Sequence, residues 1–122
     1  VLIDAPCSNS GVLGRRVEAR HRLNAATVRE LTQSQAAILE NAARNLKPGG
    51  TLLYSVCSVL MEEGVDITRK FMASRPHADE PGGEKSSPSR EDTGWEMKVE
   101  HIVLPRPGHS DGMYWAVLKA PQ

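Results

Sequence analysis

Two thiols stand where chemistry would be expected. Cys7 and Cys57 are the two cysteines of this 122-residue chain, and each ends an apolar run, VLIDAPCS at residues 1–8 and LLYSVCS at residues 52–58. A thiolate is a strong nucleophile, but a free cysteine is only about a few per cent ionised at neutral pH. A site that attacks with sulfur must therefore lower that pKa or supply a base. A second thiol alongside offers another group able to hold or move a proton. Asp4 adds a carboxylate just before Cys7, and the segment RRVEARHR at residues 15–22 brings Arg15, Arg16, Arg20 and Arg22. Taken alone, either cysteine also reads as a small buried hydrophobe. With no C-x-x-C spacing, the pair does not form a zinc motif. The four histidines are scattered, and none is read as catalytic.

Whether these groups meet depends on the elements that carry them. Residues 1–4 read as a short parallel strand, a continuous apolar run ending in a polar turn. Residues 5–23 read as a loop interrupted by Gly11 and Gly14. From Asn24 or Ala25 to Leu46, the residues Val28, Leu31, Gln35, Ile38, Leu39, Ala42 and Leu46 recur at helical spacing and define one face. Pro48-Gly49-Gly50 then stops the helix. Thr51 to Cys57 reads as a second strand, and Glu62 to Ser74 as a second helix whose acidic first turn suits the helix dipole. Residues 75–94 lack hydrophobic periodicity and are expected to form a flexible loop. Trp95, Met97 and Val99 lead into a third strand through Leu104. Asp111-Gly112 reads as a turn, and Met113 to Leu118 as a fourth strand antiparallel to the third. Trp95, Tyr114 and Trp115 are expected in core or sheet packing.

The expected fold is α/β, in the order β-α-β-α-β-β with a terminal antiparallel hairpin. In sheets of this kind ligands gather beyond the carboxyl ends of the parallel strands. Cys7 and Cys57 both fall there, so adjacent strands would bring the sulfurs together. Hydrophobic residues at 39%, charged residues at 25% and zero formal net charge suit a globular domain. No apolar run approaches the roughly 20 residues that span a bilayer, so no membrane partner is expected. The two cysteines suit free thiols in a reducing, cytoplasmic setting better than a disulfide framework.

The DAPCSNSG stretch at Asp4 to Gly11, followed by Arg15-Arg16, resembles motif IV of the Sun (RsmB-like) family of RNA cytosine-5 methyltransferases. YSVCS at Tyr54 to Ser58, with Glu62-Glu63 after it, resembles the same family's motif VI. Leu104-Pro105 and Asp111-Gly112-Met113-Tyr114 are similar to its closing strand. The resemblance covers nearly the whole chain. It implies the C-terminal half of a class I (Rossmann-like) methyltransferase sheet, S-adenosylmethionine as methyl donor, and a cytosine in RNA, such as rRNA or tRNA, as acceptor. It places Cys57 as nucleophile, Cys7 as the base or product-release thiol, and Asp4 at the cofactor. Arg15, Arg16, Arg20 and Arg22 are expected on the RNA backbone. Asn9, Val56, Gly64 and Gly14 depart from the residues usual at their positions, which bears on loop geometry more than on the reacting atoms.

A central strand needs a neighbour on each side, and nothing precedes Val1-Leu2-Ile3 here. The expectation is a fragment truncated upstream of residue 1, with most of the S-adenosylmethionine site in the missing part and no activity of its own. Its open first strand would invite homodimerisation. The competing reading is an RNA-binding or assembly module with the same fold and no catalysis.

Overall fold

The computed structural model describes residues 1–75 and 94–122. The expected loop over 75–94 lies outside the described residues except for its two ends. The elements are β1 (Leu2–Asp4), α1 (Ala25–Arg44), β2 (Thr51–Val56), α2 (Val65–Ala73), β3 (Glu96–Val103) and β4 (Met113–Lys119), in the expected order. Residues 5–23, expected as plain loop, contain two short 3-10 turns, Ser10–Val12 and Val17–His21.

The sheet order is β1-β2-β4-β3. β1 and β2 are parallel, with Leu2 opposite Leu53 and Asp4 opposite Ser55. β4 runs antiparallel to both β2 and β3, so the last strand of the chain is seated between them. It alternates, with Tyr114, Ala116 and Leu118 buried in the core and Trp115 and Val117 between them half-buried. β2 is apolar almost throughout because its neighbours bury it from both sides, and Leu52, Tyr54 and Val56 are fully enclosed. β1 lies at one end of this order, and its Leu2 is 70% exposed while Ile3, on the opposite face, is buried.

α1 begins at Asn24, whose side-chain oxygen accepts from the Thr27 backbone N–H at 2.9 Å and satisfies one of the free donors of the first turn. It buries Gln35, Leu39 and Ala43. After Pro48, Gly49 takes a φ of 64°, which a side chain would resist. α2 buries Val65, Ile67, Thr68 and Phe71. At its C-terminal side Phe71 meets Trp95 edge-on at 5.1 Å, and Arg75 lies over both rings while bonded to Glu40. Trp95 and Tyr114 are buried as expected, and Trp115 stacks on His101 at 4.8 Å.

Two local readings are corrected. α2 starts at Val65 rather than Glu62, and Glu63 is not an exposed first-turn acid but fully buried ahead of the helix. Asp111-Gly112 is not the hairpin turn. The turn lies at Pro107-Gly108-His109, where Gly108 supplies the positive φ of 74° and Arg106 pairs with Ser110. Gly112 is instead packed against Gly11, as the site below requires. Among the described residues, no helix is long and apolar enough to cross a membrane.

Candidate active site

Because β1 and β2 are parallel and in register, they deliver the residues that follow them to one edge of the sheet. The backbone stays paired for one residue beyond β1, with Ala5 N–H donating to Ser55 O at 3.0 Å. Past that point the two cysteines converge, and their sulfurs lie 3.2 Å apart. Both are partly accessible and unbonded. The expected meeting of the thiols is therefore found, on the same side of the sheet and open to the surface.

The support beneath them is a buried polar cluster. Each cysteine is followed by a serine, and both Ser8 Oγ and Ser58 Oγ donate to one carboxyl oxygen of Glu63. The other oxygen accepts from Ser8 N–H at 2.8 Å and from Gln35 Nε2 at 3.1 Å. Gln35 also donates to Pro6 O at 2.9 Å, just before Cys7. Ser10 Oγ lies 2.8 Å from Ser58 Oγ and accepts from Val59 N–H at 3.0 Å. Buried polar groups are tolerated only when they are hydrogen-bonded. Glu63, which is fully buried, meets this condition by tying together the two cysteine loops and α1. These partners were not singled out as a cluster by sequence reasoning. The signals present were the repeated Cys-Ser pair and a glutamine inside the apolar stripe of α1.

The electrostatics differ between the cysteine and its surroundings in a definite way. Burial pushes the Cys7 thiol up to about 12. The Asn9 backbone N–H opposes that shift, while the hydrogen bond to Cys57 and the nearby charges of Cys57 and Glu63 reinforce it. At neutral pH Cys7 therefore holds its proton. Burial also raises the Tyr54 phenol, with Glu63 adding to the effect, and its O–H donates to Glu63 O at 2.8 Å.

The closing hairpin is stitched to the same place. Gly11 N–H donates to Cys57 O at 3.1 Å, and Gly112 N–H donates to Gly11 O at 2.8 Å. The backbones approach so closely that a Cβ on Gly11 would lie 1.9 Å from Gly112 O. Beside this junction is a groove of about 680 Å³ lined by Arg15, Arg106, His109 and Asp111 among others. Arg15 forms a two-pronged ion pair with Asp111, its Nε 3.1 Å from Oδ1 and its Nη2 on Oδ2. Of the expected RNA-contacting arginines, Arg15 thus borders the thiol loops, while Arg16, Arg20 and Arg22 are exposed along the neighbouring segment. Asp4 is exposed at the carboxyl end of β1, opposite Ser55 and three residues before Cys7.

A mixed sheet flanked by helices, with two thiols meeting beyond the ends of adjacent parallel strands, has the α/β architecture of the Rossmann-like methyltransferases. The chain belongs to the family described as 16S rRNA methyltransferase RsmB/F, whose model matches residues 1–119. It is 36% identical over 118 residues to Ribosomal RNA small subunit methyltransferase B of Vibrio vulnificus (strain YJ016), covering 97% of this chain and 25% of that protein. It is equally 36% identical over 119 residues to the protein of the same name in Klebsiella pneumoniae (strain 342), with the same coverage. The chain thus spans about a quarter of the length of the curated relatives it matches. Among solved structures, PH0851 superposes with a TM-score of 0.73 at 33% identity, covering 97% of this chain and 26% of that one. NSun6 from Pyrococcus horikoshii, solved with SFG, shares the fold at a TM-score of 0.65 and 22% identity, covering 99% of this chain and 29% of that one.

Proposed function

We propose that this chain forms the thiol-bearing part of an RNA methyltransferase that modifies carbon 5 of cytosine, with Cys57 as nucleophile and Cys7 as the thiol that serves product release. The reading rests on one observation above others, the 3.2 Å approach of the two sulfurs at the open ends of parallel strands. The names of the relatives support rRNA as the substrate class.

Carbon 5 of cytosine is a weak nucleophile. Attack of the Cys57 sulfur on carbon 6, as its S–H proton is released to solvent, forms an S–C bond and moves the ring electrons to carbon 5, dividing one hard step into easier ones. S-adenosylmethionine, when bound, supplies the methyl group as a sulfonium electrophile. The exposed Asp4 carboxylate, at the carboxyl end of β1, suits a cationic, hydroxyl-bearing ligand of this kind. Once carbon 5 carries the methyl group, its proton must leave and the S–C bond must break, restoring the 5,6 double bond and returning the Cys57 thiolate. Cys7 is next to the sulfur that departs, so its S–H passes its proton to the Cys57 thiolate and the Cys7 sulfur, with its high proton affinity, takes the carbon-5 proton, leaving both cysteines as thiols. The arginines of residues 15–22 would hold phosphates, giving salt-sensitive binding with little sequence choice. The base must be unstacked to present its ring face, so a loop or opened strand is the expected RNA.

Denaturing gels of the intact protein with RNA and S-adenosylmethionine test the assignment. Cys7→Ser is expected to accumulate protein joined to RNA, and Cys57→Ser to form none. Adducts in the Cys57 variant, with none in the Cys7 variant, would reverse the two roles.

A further inference from the structure

Asn9 is the one non-glycine residue with positive φ among the described residues, at 61°. The backbone uses that conformation to enter the 3-10 turn, with Val12 N–H donating to Asn9 O at 3.1 Å. Asparagine tolerates the left-handed region better than most residues, and glycine tolerates it freely. The loop alone would therefore be served equally well by glycine, and the side chain calls for a separate explanation. Its amide reaches both thiol loops. Nδ2 lies 3.4 Å from Cys7 O, and Oδ1 lies 3.0 Å from Cys57 Sγ. A backbone carbonyl can only accept, so the NH2 group must face Cys7 O. This orientation turns Oδ1, an acceptor, toward the Cys57 sulfur.

We propose that Asn9 is a positioning residue for Cys57, accepting a hydrogen bond from its S–H and so holding the nucleophile in one orientation, with its proton, while the site waits for substrate. The thiols and amide then form a chain in which Cys7 S–H faces Cys57 Sγ and Cys57 S–H faces Asn9 Oδ1. Oδ1 can only accept, so it engages the S–H and has no hydrogen to offer the sulfur's lone pairs. Entry of the pyrimidine would have to break that bond as attack begins. Of the titratable groups nearby, Cys7 Sγ lies 3.2 Å from the Cys57 sulfur, and Glu63 is bonded to the adjoining Ser58, neither through the side chain at position 9.

The inference rests on Cys57 being the nucleophile, but its test reads the thiol directly and needs no methyl transfer. In the intact protein, iodoacetamide labelling at pH 7 is followed by mass spectrometry of the peptide that contains Cys57. Asn9→Gly keeps the favoured backbone and removes the acceptor, so labelling is expected to be about three- to tenfold faster, the worth of one modest hydrogen bond. Asn9→Asp places a carboxylate on the sulfur and is expected to slow labelling below the wild type. A purely structural role would move both variants the same way or neither. Equal or slower labelling in Asn9→Gly, or labelling in Asn9→Asp as fast as the wild type, would overturn the proposal. Failure of the RNA adduct assay with unchanged labelling behaviour would instead count against the assignment of Cys57.

Discussion

Cys7 Sγ and Cys57 Sγ lie 3.2 Å apart although 50 positions separate them along the chain. Two thiols this close are suited to join when a small disulfide such as oxidised glutathione takes their electrons. Two S–H bonds are lost, one S–S bond forms, and two molecules of reduced glutathione leave. The cross-link closes a loop of about 50 residues, which by the chain-entropy account constrains the unfolded state by about 4 kcal/mol. Treated protein is expected to lose two hydrogens in mass, melt at a higher temperature, and form no adduct with RNA, all reversed by dithiothreitol. Two thiols that stay alkylatable after such treatment would show that the loops do not hold the sulfurs together.

Alkaline pH tests the environment of Cys7. Its folded value is raised from 9.0 to about 12, with burial the largest cause. The folded state thus holds this proton more tightly than the unfolded chain does. The resulting stability is fully present below pH 9 and is lost as pH rises toward 12. Tyr54 and Tyr114 are shifted in the same direction, chiefly by burial, and add to the same loss. Urea midpoints measured between pH 8 and 12 (the window set by the Cys7 shift) should fall more steeply for the wild type than for Cys7→Ser. Parallel slopes would mean that Cys7 titrates as it does in the unfolded chain.

Glu63 holds the thiol loops by what it accepts. Ser8 N–H, Ser8 Oγ, Ser58 Oγ and Gln35 Nε2 all converge on its two carboxyl oxygens. Glu63→Gln keeps the shape but replaces one acceptor with an NH2 group that must face donors. Leaving buried donors unsatisfied costs about 1–3 kcal/mol each. The variant is expected to lose at least that much unfolding free energy in a urea titration, with RNA adduct formation reduced further because Cys7 and Cys57 lose their common anchor. Wild-type stability would mean that water or a rearranged serine replaces the carboxyl group without cost.

The contrast between Glu63 and the cysteines explains what could be read in advance. The strands were legible because Val1-Leu2-Ile3 and Thr51 to Val56 are apolar runs bounded by turn residues, and the thiols' position followed from strands that end in register. Glu63 was not, because Glu62-Glu63 beside a helix satisfies the dipole rule equally well. Its actual partners come from three separate segments that meet only in the folded chain. The hairpin turn was misplaced for a local reason. Asp111-Gly112 and Pro107-Gly108 are both turn signals, and the need for a positive φ selected the second, while Gly112 was claimed by close packing on Gly11. The seating of β4 between β2 and β3 also lies outside local pattern, since alternating burial of Tyr114, Ala116 and Leu118 suits any covered strand.

Gly11 offers the sharpest test of how the hairpin and the Cys57 loop are joined. A Cβ there would lie 1.9 Å from Gly112 O, 2.5 Å from Gly112 C and 3.0 Å from Cys57 O. All three are backbone atoms, so no flexible side-chain end can give way. Either the segment through Gly112 retreats and breaks its 2.8 Å bond to Gly11 O, or the Cys57 loop moves off its 3.1 Å bond to Gly11 N–H. Overpacking of this kind costs about 1–3 kcal/mol, occasionally more. Gly11→Ala is therefore expected to lower the melting temperature and to abolish the RNA adduct even in the fraction that remains folded. Gly14, three residues on, has nothing within 4 Å of the same added atom. Gly14→Ala should stay within about 0.5 kcal/mol of the wild type in stability, the usual range at uncrowded surface positions. Equal melting temperatures for the two variants would mean that the close approach of Gly11 and Gly112 does not hold the site in solution.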